Sequence, residues 1–133
     1  MAASVTPFLM FQHGRAEEAL RLYTSLFPEL EVLRLERFGA DAGAAEGWLR
    51  ECEVSFRGQR VRLFDSPAPH AFDFTPSFSF FVETSDPDEF ERLFAALSQD
   101  GAVMMPPDDY GFSRRFAWTA DRFGVSWQIA LSG

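Results

Sequence analysis

Phe116-Ala-Trp-Thr-Ala-Asp-Arg-Phe-Gly-Val-Ser-Trp-Gln-Ile-Ala-Leu131 reads as two apolar runs joined by the short turn Asp121-Arg-Phe-Gly124. Apolar, aromatic and β-branched runs on either side of an Asp-to-Gly loop predict an antiparallel hairpin. Strand alternation sorts the second run: Val125, Trp127, Ile129 and Leu131 form a packing set, and Ser126 and Gln128 point to the other face.

That hairpin closes a pattern that occurs twice. Before it, residues 77–84 read as a strand and residues 86–99 as a helix, with Asp86-Pro87 supplying an N-cap followed by proline, and Asp100-Gly101 ending it. Three strands follow, near 102–105, 112–119 and 125–131. The first half has the same order. Residues 6–12 read as a strand and 15–27 as a helix, with Ala16, Ala19, Leu20, Tyr23, Leu26 and Phe27 at helical spacing and Pro28 as its stop. Residues 31–38 alternate as a strand, and the Gly/Ala-rich stretch 39–47 is expected to be a flexible lid or connection. Residues 48–57 and 60–65 predict a hairpin over Gly58-Gln59, and a proline-containing linker follows. The chain thus reads as one domain, 1–133, of two βαβββ modules, about 5–66 and 77–132, joined by 67–76.

Composition narrows the functional classes. A chain of 133 residues buries about two-thirds of its unfolded surface, and 47% hydrophobic content with sixteen Phe argues for a packed core. All twelve basic residues are Arg; against twenty acids they leave a net charge of −8, which disfavours nucleic acid and anionic membranes. The lack of Lys removes Schiff-base chemistry and lysine-dependent phosphate loops. Cys52 stands alone, so no intrachain disulfide is expected. No leader or membrane-length apolar run is recognised, and a cytoplasmic location is the expectation.

Thr6-Pro-Phe-Leu-Met-Phe11, Ala16-Glu-Glu-Ala19 with Leu22-Tyr23 and Phe27-Pro28, Gly58-Gln59, Tyr110-Gly-Phe112 and Asp121-Arg-Phe-Gly-Val-Ser-Trp-Gln128 occur in the order of a known family. The chain resembles the vicinal oxygen chelate superfamily of glyoxalases, bleomycin-resistance proteins and extradiol dioxygenases. Within it, the PhnB-like branch, labelled 3-demethylubiquinone-9 3-methyltransferase-like, is the nearest likeness. The resemblance implies an α+β fold: a cupped eight-stranded sheet with helices on the convex side, a shared concave cavity, and a homodimer whose subunits share or exchange modules. It also implies four inward metal-ligand positions. These fall on Phe8, on Phe64 (or Asp65 with a one-residue slip), on Ser79 and on Gln128. A Phe, Phe, Ser, Gln set does not suit Zn, Fe or Ni, so neither metal nor other cofactor is expected.

Alternation assigns the remaining candidates. Trp48, Cys52, Val54 and Phe56 are expected to meet a helix, sending Leu49, Glu51, Glu53 and Ser55 to the cavity side; likewise Phe78, Phe80 and Val82 pack while Ser77, Ser79 and Phe81 face the cavity. The ligand-binding set is therefore Phe8, Met10, Phe64, Ser79, Phe81, Arg115 and Gln128. Glu53 and Glu51, at i and i+2 on one face, are the candidate acid-base pair, or else a solvated edge. Arg114-Arg115 places one guanidinium on each face; one binds an anionic group at the cavity mouth, or both form surface ion pairs. Cys52 reads as a core residue, Trp118 and Trp127 as core aromatics, His13 and His70 as surface or capping residues, and Asp108-Asp109 as a turn. The leading function is metal-free binding of a planar or amphipathic small molecule. The alternative is a lyase, isomerase or dioxygenase of the same superfamily; a methyltransferase is disfavoured by the chain's length and its lack of a Gly-rich nucleoside loop.

Overall fold

A computed structural model describes residues 3–133. The chain divides between Ala71 and Phe72 into two compact units, each holding one βαβββ module. In the first, β1 (Phe8–Phe11), α1 (Ala16–Leu26), β2 (Leu30–Arg37), β3 (Leu49–Phe56) and β4 (Gln59–Asp65) follow in order. Their strands pair β1-β4-β3-β2, with β1 parallel to β4 and the other pairs antiparallel. The second unit repeats the scheme: β5 (Ser79–Thr84), α2 (Pro87–Ser98), β6 (Ala102–Asp108), β7 (Arg115–Ala120) and β8 (Ser126–Leu131) pair as β5-β8-β7-β6, with β5 parallel to β8. The predicted α+β class and both modules are present.

One face of each sheet is closed by its helix. Ala16, Ala19, Leu20, Tyr23 and Leu26 are buried along α1, and Leu9, Phe11, Cys52, Val54, Val61 and Leu63 form the buried sheet positions of the first module. In the second, Phe90, Leu93 and Leu97 of α2 are buried, as are Ala117, Thr119, Trp127 and Ile129 of the sheet. The packing set read from the last strand is confirmed.

Two buried aspartates finish the modules. Asp65, at the end of β4, accepts from Ala16 N at 2.8 Å and from Leu49 N at 2.9 Å. The α1 N-cap residue, Arg15, gives no side-chain cap, so a strand carboxylate caps this helix and fixes the start of β3 together. In the second module α2 is capped locally, by Asp86 accepting from Asp88 N at 2.9 Å with Pro87 following. There Asp121 fixes the last hairpin. Its Oδ1 accepts from Phe123 N (2.9 Å) and Val125 N (3.0 Å), and its Oδ2 from Trp127 Nε1 (2.9 Å). Gly124, with φ of 92°, completes this three-residue loop in the left-handed region.

Several local expectations are corrected. The 39–47 connection carries two short 3-10 turns within Ala40–Ala45, separated by a kink at Gly43 (φ 62°), with Ala45 buried and flanking bonds Gly47 N to Phe38 O (3.0 Å) and Trp48 N to Ala45 O (3.0 Å). The hairpin turn is Arg57-Gly58, not Gly58-Gln59: both residues have positive φ, 51° and 97°, as a type I′ turn requires. Leu49, expected in the cavity, is fully buried; Glu36 pairs with Glu51 but Arg37 with Leu49, so Arg50 is a bulge residue that breaks the alternation. β6 runs on through Pro106-Pro107, which an edge strand tolerates, and Phe112 belongs to the loop before β7.

Replacing Asp121 with Ala is expected to lower stability by roughly 3 kcal/mol, because it strands buried N–H donors. Urea unfolding checks this, and a loss under about 1 kcal/mol would contradict the assigned role of the carboxylate.

Candidate functional site

The faces turned away from the helices carry the candidate residues. Cα partners share a face, so in the first module Phe8 and Met10 of β1, Arg60, Arg62 and Phe64 of β4, and Glu53 and Ser55 of β3 lie together. Phe8 and Phe64 are in ring contact, centroids 5.6 Å apart, and Phe8 is 55% exposed. Phe8, Met10, Phe64, Glu51 and Glu53 thus lie on one face of the first sheet. Of the two residues offered for the fourth-strand position, Phe64 is on the open face and Asp65 is buried beneath the helix.

Glu53 is not a free carboxylate. Its side chain is 4% exposed and is gripped by Arg60 and, at 3.0 Å, by Arg62. Burial opposes its charge, but the hydrogen bonds from Arg62 and Arg60 outweigh that and hold its pKa below the ordinary glutamate value. A carboxylate held so firmly ionised is a weak base, and both its oxygens are engaged. Glu51, 43% exposed, pairs with Arg34 at 3.7 Å along the sheet edge. Glu51 fits the solvated-edge alternative, whereas Glu53 is buried and held by two arginines, which matches neither a solvated edge nor acid-base work. Burial pushes the Cys52 thiol up to about 11, which makes it inert near neutrality.

In the second module Ser79, Phe81 and Glu83 of β5 share the open face with Ser126, Gln128 and Ala130 of β8 and with Phe116 and Trp118 of β7. Ser126 Oγ stands 2.6 Å from Ser79 Oγ and accepts from Trp118 Nε1 at 2.8 Å. Trp118 is thus corrected from a core aromatic to an open-face residue, while Trp127 is core. Gln128 has no side-chain hydrogen-bond partner among the described residues. Arg115 lies on the opposite face: its Nε is 2.6 Å from Glu91 of α2 and its guanidinium sits 5.5 Å from the Phe90 ring. The guanidinium available to the open side belongs to Arg114, held by Ser132 O at 3.0 Å. It lines a cavity of about 240 Å³ with Phe81, Glu83, Phe112 and Ala130.

At the four positions where the resemblance expects metal donors, the side chains do not suit Zn, Fe or Ni. Phe8 and Phe64 have no lone pair, and Ser79 is occupied with Ser126. Among the described residues no three His, Cys, Asp or Glu side chains come together. Likewise, no described helix is long and apolar enough to cross a membrane.

Sequence reasoning missed Arg60, Arg62, Glu83 and Phe112, and of the pair Arg114-Arg115 it chose Arg115 for the ligand set where Arg114 lines the cavity. The first two were hidden by the misplaced turn, which displaced the β3–β4 pairing by two residues; the observed register sets Glu53 directly against Arg62.

Duplicated βαβββ modules with helices on one face of each sheet and aromatic and polar residues on the other define a protein of the vicinal oxygen chelate fold. The chain belongs to the family described as 3-demethylubiquinone-9 3-methyltransferase, whose model matches residues 3–130. It is 40% identical to a putative 3-demethylubiquinone-9 3-methyltransferase, PhnB protein, from Bacillus cereus, covering 98% of this chain and 100% of that one with a TM-score of 0.91. A Pseudomonas aeruginosa protein shares the fold at 24% identity and a TM-score of 0.79, over 98% of each chain. The fosfomycin resistance protein FosX of Mesorhizobium loti shares it at 11% identity and 0.59, over 100% of this chain and 94% of that one. No curated protein matches.

Two outcomes test these assignments. Glu53 has a depressed folded pKa, so its contribution is present above the unfolded value near 4.5 and is lost as pH falls through the lower folded value. Unfolding free energy of the wild type is expected to drop over that acidic window, and Glu53→Gln to flatten the drop; an unchanged profile would contradict the ion triad. Cys52 is expected to resist a thiol-specific disulfide reagent until the protein is unfolded, and rapid labelling of the native protein would show the thiol to be accessible.

Proposed function

We propose that the chain is a small-molecule-binding protein of the cytoplasm, acting without a metal and assembling as a homodimer. The observation that carries this reading is the nature of the open faces. Where the family places metal donors, this chain has a Phe8–Phe64 ring contact in one module, and in the other a serine pair beside Gln128. Phe8 and Phe81 are 55% and 54% exposed on these faces. Exposed rings interspersed with a few amide, hydroxyl and guanidinium groups suit a planar or amphipathic ligand, the rings giving contact area and the polar groups orientation. Exposed apolar residues also give a second copy something to cover.

The enzymatic reading draws less support, because Glu53 is committed to Arg60 and Arg62. The methyltransferase name belongs to the family; the chain has no Gly-rich nucleoside-binding loop of the usual kind.

Native mass spectrometry joined to elemental analysis of the purified protein tests the proposal. A dimer of 15.1 kDa chains retaining an organic ligand, with transition metal well below one equivalent, is expected. One equivalent of tightly held metal surviving dialysis would overturn the metal-free reading, and a ligand-free monomer unresponsive to small aromatics would overturn the binding reading.

A further inference from the structure

The loop that joins β6 to β7 bears the Tyr110-Gly-Phe112 motif, which no metal or acid-base scheme uses. It is firmly built. Asp108 Oδ1 accepts from Asp109 N and Asp109 Oδ1 from Gly111 N, both at 2.8 Å, while the Tyr110 hydroxyl donates to Pro106 O at 2.5 Å. Ser113 Oγ reaches both Leu131 O (2.8 Å) and Arg115 O (2.9 Å), and Arg114 Nη2 donates to Ser132 O at 3.0 Å. The loop is thereby fastened to the end of β8.

Those bonds hold an aromatic wall in place. Phe116, 3% exposed, lies 4.8 Å from the Phe112 ring, 6.0 Å from Tyr110 and 6.3 Å from Phe81. Phe112 and Phe81 remain 63% and 54% exposed. Between them lies the cavity of about 240 Å³, which also takes in Glu83 and Arg114.

Arg114 differs from the guanidiniums of the sheets. Arg34, Arg37, Arg50, Arg60, Arg62 and Arg115 each face a carboxylate. Among the described residues neither Arg114 nor Glu83 forms an ion pair, although the chain has eight more acids than bases. A guanidinium left without a carboxylate in so acidic a protein, on the same cavity as an unpaired carboxylate, matches a ligand bearing both charges.

We propose that this cavity binds a small aromatic zwitterion: a single ring carrying a carboxylate for Arg114 and an ammonium group for Glu83, with the ring against Phe81 and Phe112. The proposal rests on the small-molecule reading above and gives it a ligand class and a place. The volume agrees, since sites for drug-sized ligands span about 300–1,000 Å³ and this cavity suits one ring with short substituents.

The test is an NMR titration of the full chain with L-phenylalanine, phenylacetate, phenethylamine and L-leucine. Phenylalanine is expected to shift the Phe81, Phe112 and Ala130 resonances, and to bind about tenfold or more tightly than each probe lacking one charge or the ring. Arg114→Gln is expected to erase the preference over phenethylamine, and Glu83→Gln the preference over phenylacetate. Because both side chains are exposed, the folded state is checked by the unchanged remainder of the spectrum. No shifts at this cavity, equal affinity for leucine, or preferences unaltered in both variants would overturn the proposal. If all four probes fail while native mass spectrometry shows another retained organic ligand, the aromatic-zwitterion proposal falls and the wider binding reading stands. If no ligand is found by either route, both fall.

Discussion

A buried carboxylate that must collect backbone N–H groups from separated segments is the constraint on which each module depends. Asp65 binds the first residue of α1 and the first of β3; Asp121 binds two amides of its own turn and the indole of Trp127. Both carboxylates are almost wholly removed from water, where an unpaired charge would be strongly unfavourable. For Asp65, burial raises the pKa and the Ala16 and Leu49 amides pull it back only in part. The sign is then the reverse of the Glu53 case: the ionised form is disfavoured in the fold, and this group's contribution weakens as pH rises from the usual aspartate value through the raised one. Asp65 thus organises the module through geometry, setting helix and strand together, more than through charge.

Once the helix faces are closed in this way, the open faces are released from core duty. Their composition then becomes a functional question. The first module uses its open face for an aromatic contact and an ion triad that ties β3 to β4. The second leaves Gln128, Glu83 and Arg114 uncommitted to charged partners beside exposed rings. The two modules repeat one topology but not one surface, and the uncommitted groups are concentrated in the second.

Much of this was legible in the sequence. Helix and strand order followed from periodicity, because both helices are amphipathic and both cap signals at Asp86-Pro87 are local. The last hairpin was legible for a related reason: its Asp and Gly act within five residues of each other. What escaped reading depended on single-residue displacements. The Arg57-Gly58 turn looks like Gly58-Gln59 until φ is known, and the difference decides whether Glu53 faces Phe64 or Arg62. The Arg50 bulge moved Leu49 from the cavity to the core, and the alternation of β7, with Phe116 and Trp118 on the open face, left Arg115 against α2 and Arg114 on the open side. Asp65 as the cap of a helix 49 residues away has no local signal at all. Fold was therefore carried by repeated, redundant patterns, whereas the site turned on register.

The central claim is the proposal that the open faces bind an organic molecule without a metal. Its most direct measurement is a crystal structure of the protein as purified, with anomalous data collected above the transition-metal edges. The account predicts organic density against Phe81 and Phe112, or against Phe8 and Phe64, with no anomalous peak on either open face. An anomalous peak coordinated from Gln128 or Ser79, or open faces packed solely by the chain's own side chains, would contradict it.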